Sequence, residues 1–138
     1  MKENYPYPQR FISISIYGVQ KNGRVFYSYT SPVSGIVVNN SPKCEISVDQ
    51  PTYSLFLLDF SASMNGWTIS GITPRAPSEP LETMEGPQGL SIMTINRYSS
   101  PTAIYAFYIH YRNTITGEEF KADPQEGNVS PPGDTLDM

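Results

Sequence analysis

The chain has 138 residues, of which 38% are hydrophobic and 16% are charged, and its formal net charge is −4. An acidic chain without a basic cluster lacks the electrostatic footprint for nucleic acid or for an anionic membrane, so we expect neither as a partner. Ten tyrosines and 13 prolines are present. This composition favours many short strands joined by turns over a helical bundle.

The ends and the single cysteine carry simple expectations. The start, MKENYPYPQRF, has no apolar segment of the signal-peptide type, and no run reaches membrane-spanning length, so we expect a cytoplasmic protein. Cys44 cannot form an internal disulfide, and we interpret it as a small buried hydrophobe. The alternative is a nucleophile, which would need His110, the only histidine in the chain.

Period-two alternation predicts most of the strands. In 11–19 the residues Ile12, Ile14 and Ile16 face in, and Asn22-Gly23 is a strong hairpin signal after that strand. The segment 53–60 is apolar on both faces and predicts a buried strand. In order, the strands predicted before residue 100 are 11–19, 25–29, 33–38, 43–48, 53–60, 67–72 and 90–96.

The longest β-like run, 103–112, organises the rest of the chain. Tyr105, Phe107, Ile109 and Tyr111 share one face, and Ile104, Ala106, Tyr108 and His110 share the other. Both faces are largely apolar, which predicts a central strand covered on both sides. After a turn at Gly117, residues 118–122 predict a short charged edge strand, and Asp123-Pro124 ends its pairing.

Roughly eight or nine strands without helical periodicity predict an all-β fold, an antiparallel β-sandwich. Trp67 on a middle strand and the late Tyr-x-Phe-x-Ile-x-Tyr strand favour an immunoglobulin-like arrangement, with a jelly roll or a distorted barrel as alternatives. We expect one domain over 1–128 and a C-terminal tail over 129–138. The proline-rich segment 73–88, with its two Pro-x-x-P units, is predicted to be a long rigid loop.

The segment Asp59-Phe60-Ser61-Ala62-Ser63 resembles the Asp-x-Ser-x-Ser metal site of von Willebrand A-type domains, in which a carboxylate and two hydroxyls bind a hard cation. That family needs a helix directly after the motif, whereas Asn65-Gly66 predicts a turn and then a strand. We therefore interpret Asp59 as a strand end. A metal-dependent hydrolase that uses Asp59, Ser61 and Ser63 is the alternative.

Four carboxylates cluster near the last predicted turn. Glu118, Glu119, Asp123 and Glu126 indicate a solvated edge, because nothing in the sequence surrounds them with a pocket. A carboxylate-based hydrolase using Glu118 and Asp123 is the alternative. No catalytic group and no cofactor is assigned.

The surplus of tyrosine points to a binding or self-assembly surface, because tyrosine combines apolar area with a polar tip. We expect self-association as a homodimer or a higher oligomer, and a protein or glycan partner is the other option. The residues assigned to this surface are Tyr105, Tyr108, Tyr111, Trp67, Asp123 and Asn128.

The segment Asp123-Pro124-Gln125-Glu126-Gly127-Asn128 resembles the Asp-Pro-containing ending of the small bacterial DP-EP family, and the preceding Tyr-x-Phe-x-Ile-x-Tyr strand with Thr116-Gly117 fits as well. The same Asp-Pro strand ending is similar to that of the bacterial inclusion-body protein family. Both resemblances cover only the last third of the chain. They imply a compact β-sandwich from a bacterium and supply no catalytic residues. Asp123 and Pro124 are expected to have a structural role.

Overall fold

A computed structural model describes residues 10–19, 25–29, 36–39 and 44–130. This part of the chain contains eleven strands, one short α-helix and one 3₁₀ helix at Pro87–Gly89. None of its helices is long and apolar enough to cross a membrane. The elements are β1 Arg10–Val19, β2 Val25–Tyr29, β3 Ile36–Asn39, β4 Glu45–Val48, β5 Thr52–Leu58, α1 Phe60–Met64, β6 Trp67–Pro74, β7 Glu82–Glu85, β8 Ser91–Asn96, β9 Ile104–Asn113, β10 Glu119–Ala122 and β11 Gln125–Asn128.

The strands form two sheets. The first has the order β2-β1-β5-β8-β7, and the second contains β10, β9, β11, β4 and β3, with β6 also paired to β9. Strands β10 and β11 both pair with β9 in the same register. The pairing that runs from Glu119↔Arg112 to Ala122↔Ile109 resumes at Gln125↔Ala106 without a shift. Strands β10 and β11 therefore lie along one edge of β9 and β6 lies along the other, so β9 is a central strand, as predicted. The prediction that both of its faces are covered is wrong, because Ile104 is exposed and Tyr108 and His110 are only half-buried on the face away from the core.

The all-β prediction is confirmed, but the pairing is not wholly antiparallel. Strands β1 and β5 pair in parallel, and so do β4 and β11, which makes both sheets mixed. Sequence alternation reports which face a residue occupies and is blind to strand direction, because the side-chain period is two in either case. Parallel neighbours also require a long crossover, which here is the chain between β1 and β5.

Two strands and the helix were not predicted. The segment 73–88 is not a loop throughout, because it contains β7, which pairs with β8. All four residues of β7 are exposed. An exposed, charged edge strand has no alternation to reveal it. Strand β11 follows Asp123-Pro124 directly, since proline interrupts the ladder for only two residues here. The turn predicted at residues 21–24 and most of the tail, residues 131–138, lie outside the described residues.

The core lies between the two sheets. Ile12, Ile14 and Ile16 face it from the first sheet, as predicted, and Phe107, Ile109 and Tyr111 face it from the second. The rings of Phe56 and Phe107 meet edge to face across the sandwich, with centroids 6.1 Å apart. Trp67 packs against Phe120 at 5.7 Å and closes one end of the core.

Candidate functional site

Asp59, the first residue of the segment that resembles a cation site, follows the end of β5 and caps a helix. The carboxylate Oδ1 of Asp59 accepts a hydrogen bond from the backbone N–H of Ala62 at 2.9 Å, so Asp59 is the N-cap of α1. The prediction that a turn and a strand follow the motif was incomplete, because a five-residue helix comes first. Within the described residues, no group of three or more His, Cys, Asp or Glu side chains is placed to hold a metal ion.

Glu126 is the centre of a buried polar network between the sheets. Its side chain is fully buried, and Ser54 Oγ donates to Oε1 at 3.1 Å while Asn96 Nδ2 donates to Oε2 at 2.7 Å. Thr94 Oγ1 reaches Oε1 at 3.5 Å. Asn96 Nδ2 also donates to Asn128 Oδ1 at 2.7 Å. The network therefore joins β5 and β8 of the first sheet to β11 of the second.

Burial sets the ionisation of this network. Desolvation raises the pKa of Glu126 above its ordinary value of 4.5, and the hydrogen bonds from Asn96, Ser54 and Thr94 oppose that rise. Cys44 is also fully buried, and burial, with the nearby carboxylates of Glu126 and Glu45, raises the pKa of its thiol to about 12. The prediction of a buried cysteine is confirmed. A thiol with that pKa is a poor nucleophile.

Sequence reasoning placed Glu126 on a solvated edge, and this is wrong because β11 continues into the sandwich beside β4. Glu126 and Asn128 are buried and Gln125 and Gly127 are half-buried, but the buried side chains are polar, so the segment has no apolar alternation that would predict a buried strand. Asp123 is half-buried, and Glu118 accepts a hydrogen bond from Thr116 Oγ1 at 3.0 Å. Cys44 and His110 face opposite sides of the second sheet: Cys44 belongs to the core, whereas His110 Nε2 lies 2.8 Å from Thr73 Oγ1 at an exposed site.

The structure separates the aromatic residues assigned to one surface. Tyr111 and Trp67 are buried in the core. Tyr108 lies on the outer face of β9, where Lys121 Nζ sits 4.2 Å from its ring centroid. Tyr105 is half-buried near the start of β9 and lines a groove. A surface of these four aromatic residues therefore does not form, and a binding role remains a prediction for Tyr105 and Tyr108.

That groove, of about 560 Å³, lies between the proline-rich loop 75–79 and the chain from Ser99 to Ala106. Arg75 lines it, and its guanidinium atoms Nε and Nη2 are covered and have no hydrogen-bond partner among the described residues. The buried network reaches the same place, because Asn128 Nδ2 donates to the carbonyl of Ser100 at 2.7 Å. Patterns within one segment do not predict this groove, since its walls come from separate segments of the chain.

The outer face of the five-stranded sheet carries apolar side chains where polar ones are usual. Cross-strand registers place Phe11 beside Tyr53 and Tyr53 beside Ile95, and place Leu55 beside Met93 and Met93 beside Met84. Phe11 is 51% exposed, Met84 59% and Leu57 37%. We call this surface the apolar outer face, and its residues are Phe11, Tyr53, Leu55, Leu57, Met84, Met93 and Ile95.

No protein-family model and no curated protein sequence matches the chain. Among solved structures, the fold is similar to the crystal structure of the inclusion body protein PixA from Burkholderia cenocepacia J2315. The TM-score is 0.51 and the sequence identity is 9%, and the match covers 92% of this chain and 100% of that one. At this identity the likeness shows the fold, a mostly β architecture of two packed sheets.

Proposed function

We propose that this protein is a non-catalytic bacterial β-sandwich that self-associates through its apolar outer face. The observation that carries the proposal is the mostly apolar surface of β5, β8 and β7 on the side that faces away from the core, to which β1 adds Phe11 together with Ser13 and Ser15. Contiguous exposed apolar surface on a folded protein marks an interaction site. These apolar side chains lie on neighbouring strands of one sheet, which suits a sheet-on-sheet contact.

A second copy of the chain is the proposed partner. Support comes from the fold neighbour, whose description is an inclusion body protein. The rim of the face supplies a further argument, because Glu82 on β7 and Arg97 after β8 form an exposed ion pair there. Both signs of charge therefore stand side by side, and two copies related by a twofold axis can meet there without unbalanced charge.

Sedimentation velocity over a range of protein concentrations tests the proposal. We expect the wild-type chain to form a dimer or a larger oligomer, and the double variant Leu57→Lys/Met84→Lys to remain monomeric, because lysines on the face must be desolvated on contact. Ile115→Lys is the control, since Ile115 is 73% exposed in the turn between β9 and β10. A wild-type chain that stays monomeric at every concentration, or an Ile115→Lys variant that dissociates equally, contradicts the proposal.

Two finer assignments are also proposals. An immunoglobulin-like strand arrangement is supported by the packing of Trp67 against Phe120 in the core. Relation to the DP-EP family is supported by the structural use of its motif, since Asp123-Pro124 separates two strands in one register and Glu126 and Asn128 enter the buried network. An alignment of DP-EP sequences that lacks a polar residue at the Glu126 position contradicts the second assignment.

A further inference from the structure

We propose that the groove beside the proline-rich loop binds a ligand through one carboxylate, held by Arg75. The site is independent of the self-association proposed above, because its walls are on the second sheet and on loops. Its lining includes Arg75, Pro77, Ser78, Ser100, Ile104 and Tyr105. At about 560 Å³, its volume suits a small molecule or a few residues of peptide.

Arg75 has unused hydrogen-bonding capacity. Its Nε and Nη2 atoms form the edge of the guanidinium that receives a carboxylate through two parallel hydrogen bonds. In the part of the chain that the structure describes, neither atom has a partner. Buried polar groups in folded proteins are nearly always paired, so an unpaired guanidinium edge beside a groove indicates a ligand. The backbone N–H of Arg75 donates to the carbonyl of Ala106 at 2.9 Å and fixes the residue beside β9.

The charge near the groove is locally positive. Arg75 lies over the ring of Tyr108 at 5.9 Å and Lys121 lies over the same ring at 4.2 Å, so two cations gather at this part of the second sheet. An anion is therefore favoured there despite the net charge of −4. Glu79 also lines the groove, and its carboxylate opposes a second negative charge on the ligand. A monocarboxylate therefore fits better than phosphate.

The remaining walls describe the rest of the ligand. Ala76, Pro77 and Ile104 offer apolar contact, and Ile104 is 59% exposed. The hydroxyls of Ser99 and Ser100 and the ring of Tyr105 add polar and aromatic contact. Nε and Nη2 of Arg75 are covered by neighbouring atoms, so a ligand reaches them only after the side chain moves. The expected ligand is a carboxylate with a compact apolar body.

The experiment is a titration of the ¹⁵N-labelled full chain with N-acetylleucine, followed at the Nε–H resonance of Arg75 by NMR. We expect a saturable shift, and no shift with the neutral analogue N-acetylleucinamide. Arg75→Lys keeps the charge and removes the pair of guanidinium donors that receives a carboxylate. The saturable shifts of the Ser78 and Tyr105 amides should then need about tenfold more ligand or disappear. Arg112→Lys is the matched control, because Arg112 is exposed on β9 beyond the groove.

Several outcomes overturn the proposal. They are an Arg75 resonance that does not move, an equal shift with the amide, an equal shift with inorganic phosphate at the same concentration, and binding that survives Arg75→Lys. Because Arg75→Lys retains the charge and the chain length, its folding can be checked independently from its amide spectrum. The Leu57→Lys/Met84→Lys variant should bind N-acetylleucine as the wild type does. A failure of self-association is thereby distinguished from a failure of this site.

Discussion

Glu126 accepts hydrogen bonds on both carboxylate oxygens, and the two sets of donors differ. Asn96 is fixed in orientation, because its Oδ1 accepts from the backbone N–H of Tyr98 at 2.9 Å. Its Nδ2 must therefore donate, so Oε2 of Glu126 can only be an acceptor. The hydroxyls of Ser54 and Thr94 can rotate to accept instead. A proton on buried Glu126 therefore resides on Oε1.

This asymmetry predicts the effects of two substitutions. Glu126→Gln should change the free energy of unfolding at pH 7 by less than about 1 kcal/mol, because the amide nitrogen can occupy the Oε1 position and donate to the hydroxyls. Glu126→Leu should cost about 3 kcal/mol, because it leaves Asn96 and the two hydroxyls without their acceptor. Urea denaturation measures both, with the exposed Glu119→Gln as control. Equal losses for Gln and Leu would contradict the donor assignment.

The ionisation of Glu126 predicts a pH dependence of stability. Its folded pKa is raised above the ordinary value of 4.5, so between the two values the folded state binds more protons than the unfolded state. Stability from this group is complete below pH 4.5 and falls as pH rises toward the folded pKa, by at most about 1.4 kcal/mol per pH unit. The stability of Glu126→Gln relative to wild type should therefore rise with pH. A pH-independent difference between the two proteins contradicts this.

Cys44 should not react with alkylating reagents in the native protein. Its pKa of about 12 leaves almost no thiolate at pH 8, and its side chain has no exposed area. We expect iodoacetamide to modify it only under unfolding conditions, at a rate set by the opening of the sandwich. Mass spectrometry over a time course in buffer and in urea makes the comparison. Rapid alkylation in buffer would contradict this prediction and show that the core around Cys44 opens easily.

At the scale of elements, burial on one face decides what the sequence reveals. Strands β1 and β9 were predicted well because every second residue is apolar and faces the core. β7 was missed because it is exposed throughout, and β11 because its buried side chains are polar. The parallel pairings and the groove depend on how distant segments meet, and residue patterns within one segment carry no information about that.

The turn between β9 and β10 depends on one buried amide. Asn113 Oδ1 accepts from the backbone N–H groups of Ile115 at 2.9 Å and Thr116 at 3.0 Å, and its Nδ2 donates to the carbonyl of Asn65 at 3.0 Å. A side-chain carbon at Gly66, whose φ is +93°, would lie 2.8 Å from the same Oδ1. The Asn113 side chain therefore connects the β9–β10 turn to the turn that follows α1.

Asn113→Ala should therefore lower the free energy of unfolding by about 2 kcal/mol, because two backbone donors and one backbone acceptor lose their partner. Chemical denaturation gives the value, and Arg112→Ala is the control, since that neighbouring side chain is exposed. We also expect faster hydrogen exchange of the Ile115 and Thr116 amides in the variant. Unchanged protection at those two amides would show that the backbone, and not the amide, holds the turn.

For the whole molecule, the two sheets expose different chemistry. The second sheet presents cations around Tyr108 and a groove with an unpaired guanidinium edge, whereas the first presents the apolar outer face. The prediction of a buried strand over 53–60 is correct only in part, because β5 ends at Leu58 and only one of its two faces lies in the core. In the self-association proposed above, the other face contacts a second copy.

If that contact is apolar, folding stability should be coupled to association. The thermal midpoint of the wild-type chain should then rise with protein concentration, because mass action favours the state in which the apolar outer face is buried. High salt should leave the oligomer intact, since screening weakens exposed ion pairs and not apolar contact. Differential scanning calorimetry at several protein concentrations, in low and in high salt, tests both points. A midpoint that is independent of concentration in the wild type, as expected for Leu57→Lys/Met84→Lys, would show that the face is not buried in solution.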